Sequence, residues 1–391
     1  MHRRMRQAGL SLISLCIGLL LTLFGLELLL RFLPVNEGAR PQAVDHDHPV
    51  RSLEPQRIFT WSSGRNFPII NHVRTNNYGF VNDQAYEPAS TSPLLALIGD
   101  SYVEALMIPF AESVAGRLAK TVAPTERVYS FGTSSSALSS YLAYARYASQ
   151  VFHPQAMAFM IIGNDFDESL LKYKNEPGHH YFAEDALGNL ELIRLDYRPS
   201  LWRTIARTSA LVRYLTLNTD LLNFVLKWQH LPFGRPSHDA GFVGNTSASV
   251  SPLRMMDSKR AVDTFLASVS EMSGLQPDRM LFVVDGMRPQ LYEPSTLPLA
   301  TGSYFGQMRR YFMDQAREKG FEIIDLQTHF SEHYQQHRQR VDFSTDSHWN
   351  SLGHEICSEA IIHSAWYATF RTLADIEPST STPAPLAVHS F

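Results

Sequence analysis

The sequence predicts an α/β protein with a five-stranded parallel sheet covered by helices on both faces, preceded by one N-terminal transmembrane helix. Three observations predict it. Five short, continuous apolar runs lie between residues 94 and 326. Helix-period patterns alternate with them. A long apolar run follows a cluster of arginines at the N-terminus. Composition agrees: 391 residues, 44% hydrophobic and 18% charged, leave enough apolar side chains for a sizeable core. Lys and Arg number 34 against 38 Asp and Glu, a net charge of -4, so no basic excess marks a nucleic-acid partner. The two cysteines, Cys16 and Cys357, cannot build a disulfide framework.

The anchor comes first. His2, Arg3, Arg4 and Arg6 precede an uncharged run over residues 9–26. Glu27 interrupts it, residues 28–33 resume it around Arg31, and Pro34 stops it. About 18 uncharged residues make roughly 27 Å of helix, enough to cross a bilayer core with snorkelling flanks. The basic flank favours an inside N-terminus. The expected address is therefore the inner (cytoplasmic) membrane, single-pass, with the main domain in the periplasm or outside the cell. No small-x-small site ends the run, so an uncleaved anchor is expected rather than a signal peptide. A lipoprotein signal at Cys16 is disfavoured because Leu15 stands where a small residue is needed.

The expected organisation is an anchor over 1–34, a linker over 35–67, a main domain over 68–371 and a disordered tail over 372–391. Asp45-His46-Asp47-His48 in the linker reads as solvated rather than metal-binding. Strands are expected at 94–98, 128–131, 156–162, 280–284 and 321–326. Helices are expected near 112–121, 137–152, 259–273, 303–319 and 352–371. Residues 166–258 are too many for a short crossover. They hold helical candidates at 200–217 and 219–230 and a polar, Gly/Ser-rich stretch at 232–252. The interval reads as an inserted subdomain or lid beside the site.

In parallel α/β sheets, ligands collect beyond the carboxyl ends of the strands. The first strand ends in Gly99-Asp100-Ser101, the second before Gly132, and the third before Gly163-Asn164-Asp165. A late loop carries Asp346-Ser347-His348-Trp349-Asn350. These are the residue types a serine esterase needs. A serine hydroxyl needs a base, and the base needs a carboxylate to hold its tautomer. The developing oxyanion needs preorganised donors: the amides of Ser101 and Gly132 and the side chain of Asn164. Asp100 reads as a structural hydrogen-bonder. His354 competes with His348 for the role of base, and Ser134, Ser135 and Ser136 compete with Ser101.

With these four blocks in order, the chain resembles the SGNH/GDSL hydrolase superfamily. The resemblance covers roughly residues 70–370 without the insertion, and the anchor and Asn77-Tyr78-Gly79-Phe80 resemble membrane-anchored bacterial members. It implies a flavodoxin-like, three-layer fold with sheet order 2-1-3-4-5, Ser101 as nucleophile and His348 as base. Asp346 stands two residues before His348, a spacing similar to that of SGNH-like polysaccharide O-acetyltransferases, and is taken as the carboxylate. The Gly163-Asn164-Asp165 block is one residue shorter than the family's usual spacing and leaves Asn164 as the donor.

The expected activity is a serine esterase acting on ester-linked acyl groups, with O-acetyl groups of envelope or secreted polysaccharide as the substrate that the address implies. No cofactor is implied. Two alternatives remain: a polysaccharide O-acetyltransferase with the same triad, and a catalytically silent scaffold that binds glycan or protein partners. A competing pattern, His329-Phe330-Ser331-Glu332-His333, matches an inverted zinc-protease motif and lines up with His337. It falls where the fold needs a connecting helix with a wet face.

Overall fold

The computed structural model describes residues 2–122, 126–219, 221, 241–288, 290–293 and 295–376. The chain divides into two compact units, one drawn from residues 1–39, 58–73 and 199–234 and the other from 40–57, 74–198 and 235–391.

The first unit begins with a helix over His2–Leu30. Its residues Gly9–Leu30 are long and apolar enough to cross a membrane, and of the apolar stretch only its last residue, Leu30, is buried. Strands β1 (Ile58–Ser63) and β2 (Ile69–Arg74) pair in a small sheet. So part of the segment expected as linker is a strand, with Phe59 and Ser62 buried. The candidate helix over 200–217 is broken. Helix Leu201–Ala206 ends, and Ser209 accepts from the Val212 amide to start a second helix, Ala210–Arg213. Asn218 then donates to Ser62 Oγ at 3.0 Å and accepts from the Asn36 amide at 3.0 Å. A small core of Leu30, Val35 and Ala210 is completed by Phe67, Leu211 and Tyr214.

The second unit holds β3 (Leu94–Gly99), β4 (Arg127–Gly132), β5 (Ala156–Ile161), β6 (His180–Glu184), β7 (Leu190–Arg194), β8 (Phe242–Val243), β9 (Thr246–Ser247), β10 (Met280–Val284) and β11 (Glu322–Asp325). Five of them form one sheet in the order β11-β10-β5-β3-β4, with every pair parallel. Numbered among themselves, these strands run 2-1-3-4-5. Strand side chains alternate between two cores. Leu94, Ala96 and Ile98 join helices Leu138–Phe152, Pro252–Ser273 and Tyr304–Glu318 on one face. Leu95 and Leu97 join helices Val114–Ala119, Leu326–His337 and Ser351–Ile362 on the other.

Two helix limits differ from expectation, each for a local reason. The helix expected from 259 starts at Pro252, because Ser251 accepts from the Arg254 amide and proline suits the first turn. The helix expected over 352–371 is two, because Ser364 Oγ accepts from the Tyr367 amide and begins Ala365–Ile376. The interval 166–258 carries two antiparallel hairpins, β6–β7 and β8–β9. The expected helix at 219–230 falls almost wholly outside the described residues, as do the 232–240 part of the polar stretch and the tail from 377; residues 372–376, expected as disordered tail, instead complete the helix Ala365–Ile376.

Strand β4 is an edge, and an edge exposes unpaired backbone groups. Here side chains of the preceding segment take the place of a strand. Asn82 Nδ2 donates to Val128 O at 3.1 Å, and Gln84 Oε1 accepts from Val128 N at 3.0 Å. The Tyr86 hydroxyl donates to Ser130 O and accepts from Ser130 N, both at 2.7 Å. Its ring stacks on Tyr129 at 3.8 Å. Tyr86→Phe keeps the stacking but strands two buried backbone groups. It should cost about 1–3 kcal/mol in unfolding free energy, read by denaturant titration. A loss near zero would mean that the edge finds other partners.

Candidate active site

The carboxyl ends of β3, β4, β5 and β10 open on one side of the sheet, and the residues predicted from sequence gather there. Ser101 opens the short helix Ser101–Glu104 directly after β3. Asp100 caps that helix by accepting from the Tyr102 amide at 2.9 Å. The cap fixes the turn, so the next side chain, Ser101, is only partly buried.

His348 arrives from the other end of the chain. Its Nε2 lies 2.7 Å from Ser101 Oγ. Its Nδ1 bonds Asp346 Oδ1, and the same oxygen accepts from the His348 amide at 2.9 Å. A carboxylate on Nδ1 leaves Nε2 to accept the serine proton. Burial raises the Asp346 carboxyl, but the hydrogen bond and charge of His348 outweigh it and hold it below its ordinary range.

The competitors go elsewhere. His354 is buried, and its Nδ1 faces the Val114 amide at 3.4 Å. Burial pushes its imidazole down to about 3, so it stays neutral. Ser134 is held by Glu104, and Ser136 packs against Thr133 at 3.1 Å. On the helix of the zinc-like pattern, the rings of His333 and His337 lie 4.6 Å apart and tilted, and His333 faces Gln339. Among the described residues, no three or more His, Cys, Asp or Glu side chains converge as a metal site would need.

Gly132 ends β4 beside Gly99. A Cβ on Gly132 would lie 2.8 Å from Val103 Cβ, so a side chain there would push the Ser101 helix away. Asp165 is buried and clamps its turn, accepting from Ile162 N at 2.7 Å and from the Tyr141 hydroxyl at 2.9 Å. Asn164 Nδ2 donates to Glu168 Oε2 at 3.0 Å, which leaves its second N–H.

Sequence reasoning missed the residues that hold these groups. Asn245, in the turn between β8 and β9, forms a reciprocal pair with Asn164: Asn164 N donates to Asn245 Oδ1 at 3.1 Å, and Asn245 Nδ2 donates to Asn164 Oδ1. That pair fixes which way the Asn164 amide points. Gly163 permits it, since a Cβ there would lie 2.8 Å from Asn245 Oδ1. The Gly244-Asn245 dipeptide between extended pairs was a hairpin signal.

A second missed group lies behind the histidine. Arg288 and Asp285, just past β10, are both buried and pair at 2.6 Å. Arg288 also donates to Ser347 O at 2.6 Å and to the Tyr102 hydroxyl at 3.0 Å. Tyr102 itself donates to Ser347 O at 2.8 Å, and Trp349 Nε1 donates to Asp285 Oδ1 at 3.0 Å. The peptide between Asp346 and His348 is thus gripped from beneath. No short motif marks such a clamp.

No family model matches the chain, and no curated protein matches it. Solved structures do. The chain is similar to GDSL lipolytic hydrolases and esterases. One is a member of the lipolytic G-D-S-L family from Veillonella parvula, at 10% identity over 70% of this chain and 98% of that one, TM-score 0.35. Another is a lipase/acylhydrolase from Enterococcus faecalis, at 9% identity over 74% and 100%, TM-score 0.36. A third is a two-domain esterase active on acetylated mannans, at 13% identity over 77% and 55%, TM-score 0.37. At these identities and scores they are similarities and no more.

The clamp makes a prediction for turnover. Tyr102→Phe keeps the ring against Trp349 and removes one hydrogen bond to the loop. It should lower kcat roughly two- to thirteenfold with KM little changed, the rate equivalent of a bond worth about 0.5–1.5 kcal/mol. An unaltered kcat on a small ester would show that Arg288 holds the loop alone.

Proposed function

We propose that the chain is a membrane-anchored serine esterase that removes ester-linked acyl groups, with O-acetyl groups of an envelope or secreted polysaccharide as substrate. The observation that carries this reading is the unbroken hydrogen-bond chain from Ser101 through His348 to Asp346 at the carboxyl ends of the strands. In this reading Ser101 Oγ attacks the ester carbonyl carbon as its proton passes to His348 Nε2. Asp346 orients the imidazole and stabilises its cation. The amides of Ser101 and Gly132 and the free N–H of Asn164 Nδ2 receive the oxyanion. Collapse breaks the bond to the alcohol, which leaves with the proton from His348. Water then repeats the cycle on the acyl-serine and releases the acid.

Anchoring is supported by the chain's own contacts. A cleaved leader has no reason to join the fold, yet Glu27 in the apolar helix accepts from Ser209 Oγ at 2.8 Å, Ala210 N at 3.1 Å and Leu211 N at 2.9 Å. The protein should therefore stay in the membrane pellet through salt and alkaline washes at its full length. Release as a shortened, soluble species would favour a signal sequence.

The deciding experiment uses a serine-directed phosphonate and small acetyl esters. The adduct should map to the peptide holding Gly99-Asp100-Ser101. Ser101→Ala should abolish labelling and turnover, and Asp346→Asn should lower kcat by something on the order of 10⁴ with the fold intact. Acyl transfer in place of acid release when a polysaccharide acceptor is added would make the protein an O-acetyltransferase. No labelling and no turnover in a folded protein would leave a silent scaffold.

A further inference from the structure

Within the first unit, Glu27 explains an oddity of the sequence. A carboxylate in a transmembrane run is costly, and such residues are paired when they persist. Glu27 is saturated: the three donors at Ser209, Ala210 and Leu211 are joined by Arg31 Nε at 2.8 Å. Those contacts also fix a level. Glu27 lies three residues before the helix ends at Leu30, about 4.5 Å along the axis. The segment around Ser209 is therefore tied to the last turn of the apolar helix.

The helix Leu201–Ala206 ends just before that tie. Its apolar side chains are out in the open: Leu201 and Trp202 are each 81% exposed and Ile205 is 59% exposed. At helical spacing these three fall on one arc, and Arg203 and Arg207 fall on the opposite one. Phe32, just past the apolar helix, is 87% exposed. In water this pattern is unfavourable. At a membrane boundary it is the pattern of an interfacial helix, with an aromatic ring at headgroup level and arginines toward lipid phosphate.

The geometry points to a second membrane contact: helix Leu201–Ala206 lies in the interface of the bilayer that the N-terminal helix crosses, with Leu201, Trp202 and Ile205 in the acyl boundary. The inference rests on the anchor reading. Its occupant is a bilayer rather than a second copy of the chain, because the helix is tethered at the end of the apolar span. Such a contact fixes the chain at two points on the membrane instead of one. It would limit how the first unit tilts and spins about the span.

The test uses the full chain in vesicles of phosphatidylcholine and phosphatidylglycerol. The acyl chains carry bromine either just below the headgroup or near the chain ends, and bromine quenches tryptophan on contact. The Trp202 signal is the difference between the parent protein and Trp202→Phe, a mild change at an exposed position. Shallow bromine should quench that signal roughly twofold more than deep bromine, as expected for a helix about 5–10 Å into the boundary. A protein that floats with the vesicles but whose Trp202 signal is quenched by neither lipid, or by both alike, overturns the interfacial helix and leaves the anchor standing. A protein that does not float with the vesicles overturns both.

Discussion

The buried pair of Arg288 and Asp285 is the constraint on which the site depends. Ser101 and His348 are 247 positions apart in sequence, and their hydrogen bond tolerates little error. Ser101 is set by the sheet, since its turn follows β3, which is paired on both sides by β4 and β5. His348 has no strand beneath it. Its loop is held because Arg288 and Tyr102 grip the Ser347 carbonyl while Asp285 takes the Trp349 indole. A buried ion pair is weak evidence for stability, because desolvation offsets the attraction. Its use here is register: it gives a loop one place to sit. Tyr102 joins the two halves, being the neighbour of Ser101 in sequence and of Ser347 in space.

The same device recurs on the other side of the site. Asn164 sits on a turn with one clamp of its own, Asp165, and a second from the inserted hairpin through Asn245. Asn245 donates to the side-chain oxygen of Asn164 and so orients its amide. The insertion therefore meets the candidate site through a side-chain amide. Gly163 is required by that approach, since a Cβ there would lie 2.8 Å from Asn245 Oδ1.

The parallel sheet was legible because its strands are buried on both faces and read as continuous apolar runs. The 2-1-3-4-5 order matches what the resemblance implied. Ser101 was legible as a type at a strand end, Asp346 and His348 as types in a late loop, and the structure brings them together. What was not legible lies in contacts across long separations. Arg288 meets Tyr102 at a separation of 186 residues, and Asn245 meets Asn164 at 81. Neither distance leaves a periodic trace. Strand β1 was read as linker because its segment is polar and mixed, with only Phe59 and Ser62 well buried in a two-stranded sheet. The starts at Pro252 and Ala365 were marked by serine caps but masked by the wider helical pattern.

Electrostatics divides the carboxyls of the site into two sets. Asp100, Glu104 and Asp165 stand behind the serine, and burial pushes each of them up, Asp100 to about 6. Asp346 faces the histidine and is held down. The two sets act on stability with opposite signs. Asp100 holds its proton more tightly in the native state than in the unfolded chain, so its contribution falls as pH rises from its ordinary 3.8 to about 6 and is level above. Asp346 contributes above the ordinary carboxylate range, and that contribution is lost as pH falls through its depressed value. At neutral pH the first set costs stability. Asp100, Glu104 and Asp165 nonetheless each accept a backbone amide, from Tyr102, Ser134 and Ile162, and so hold the loops after β3, β4 and β5. Stability is given up for loop geometry, as is common at functional sites. Of these four, the carboxylate held down is the one against the imidazole, where a negative charge favours the protonated ring that serine attack would create.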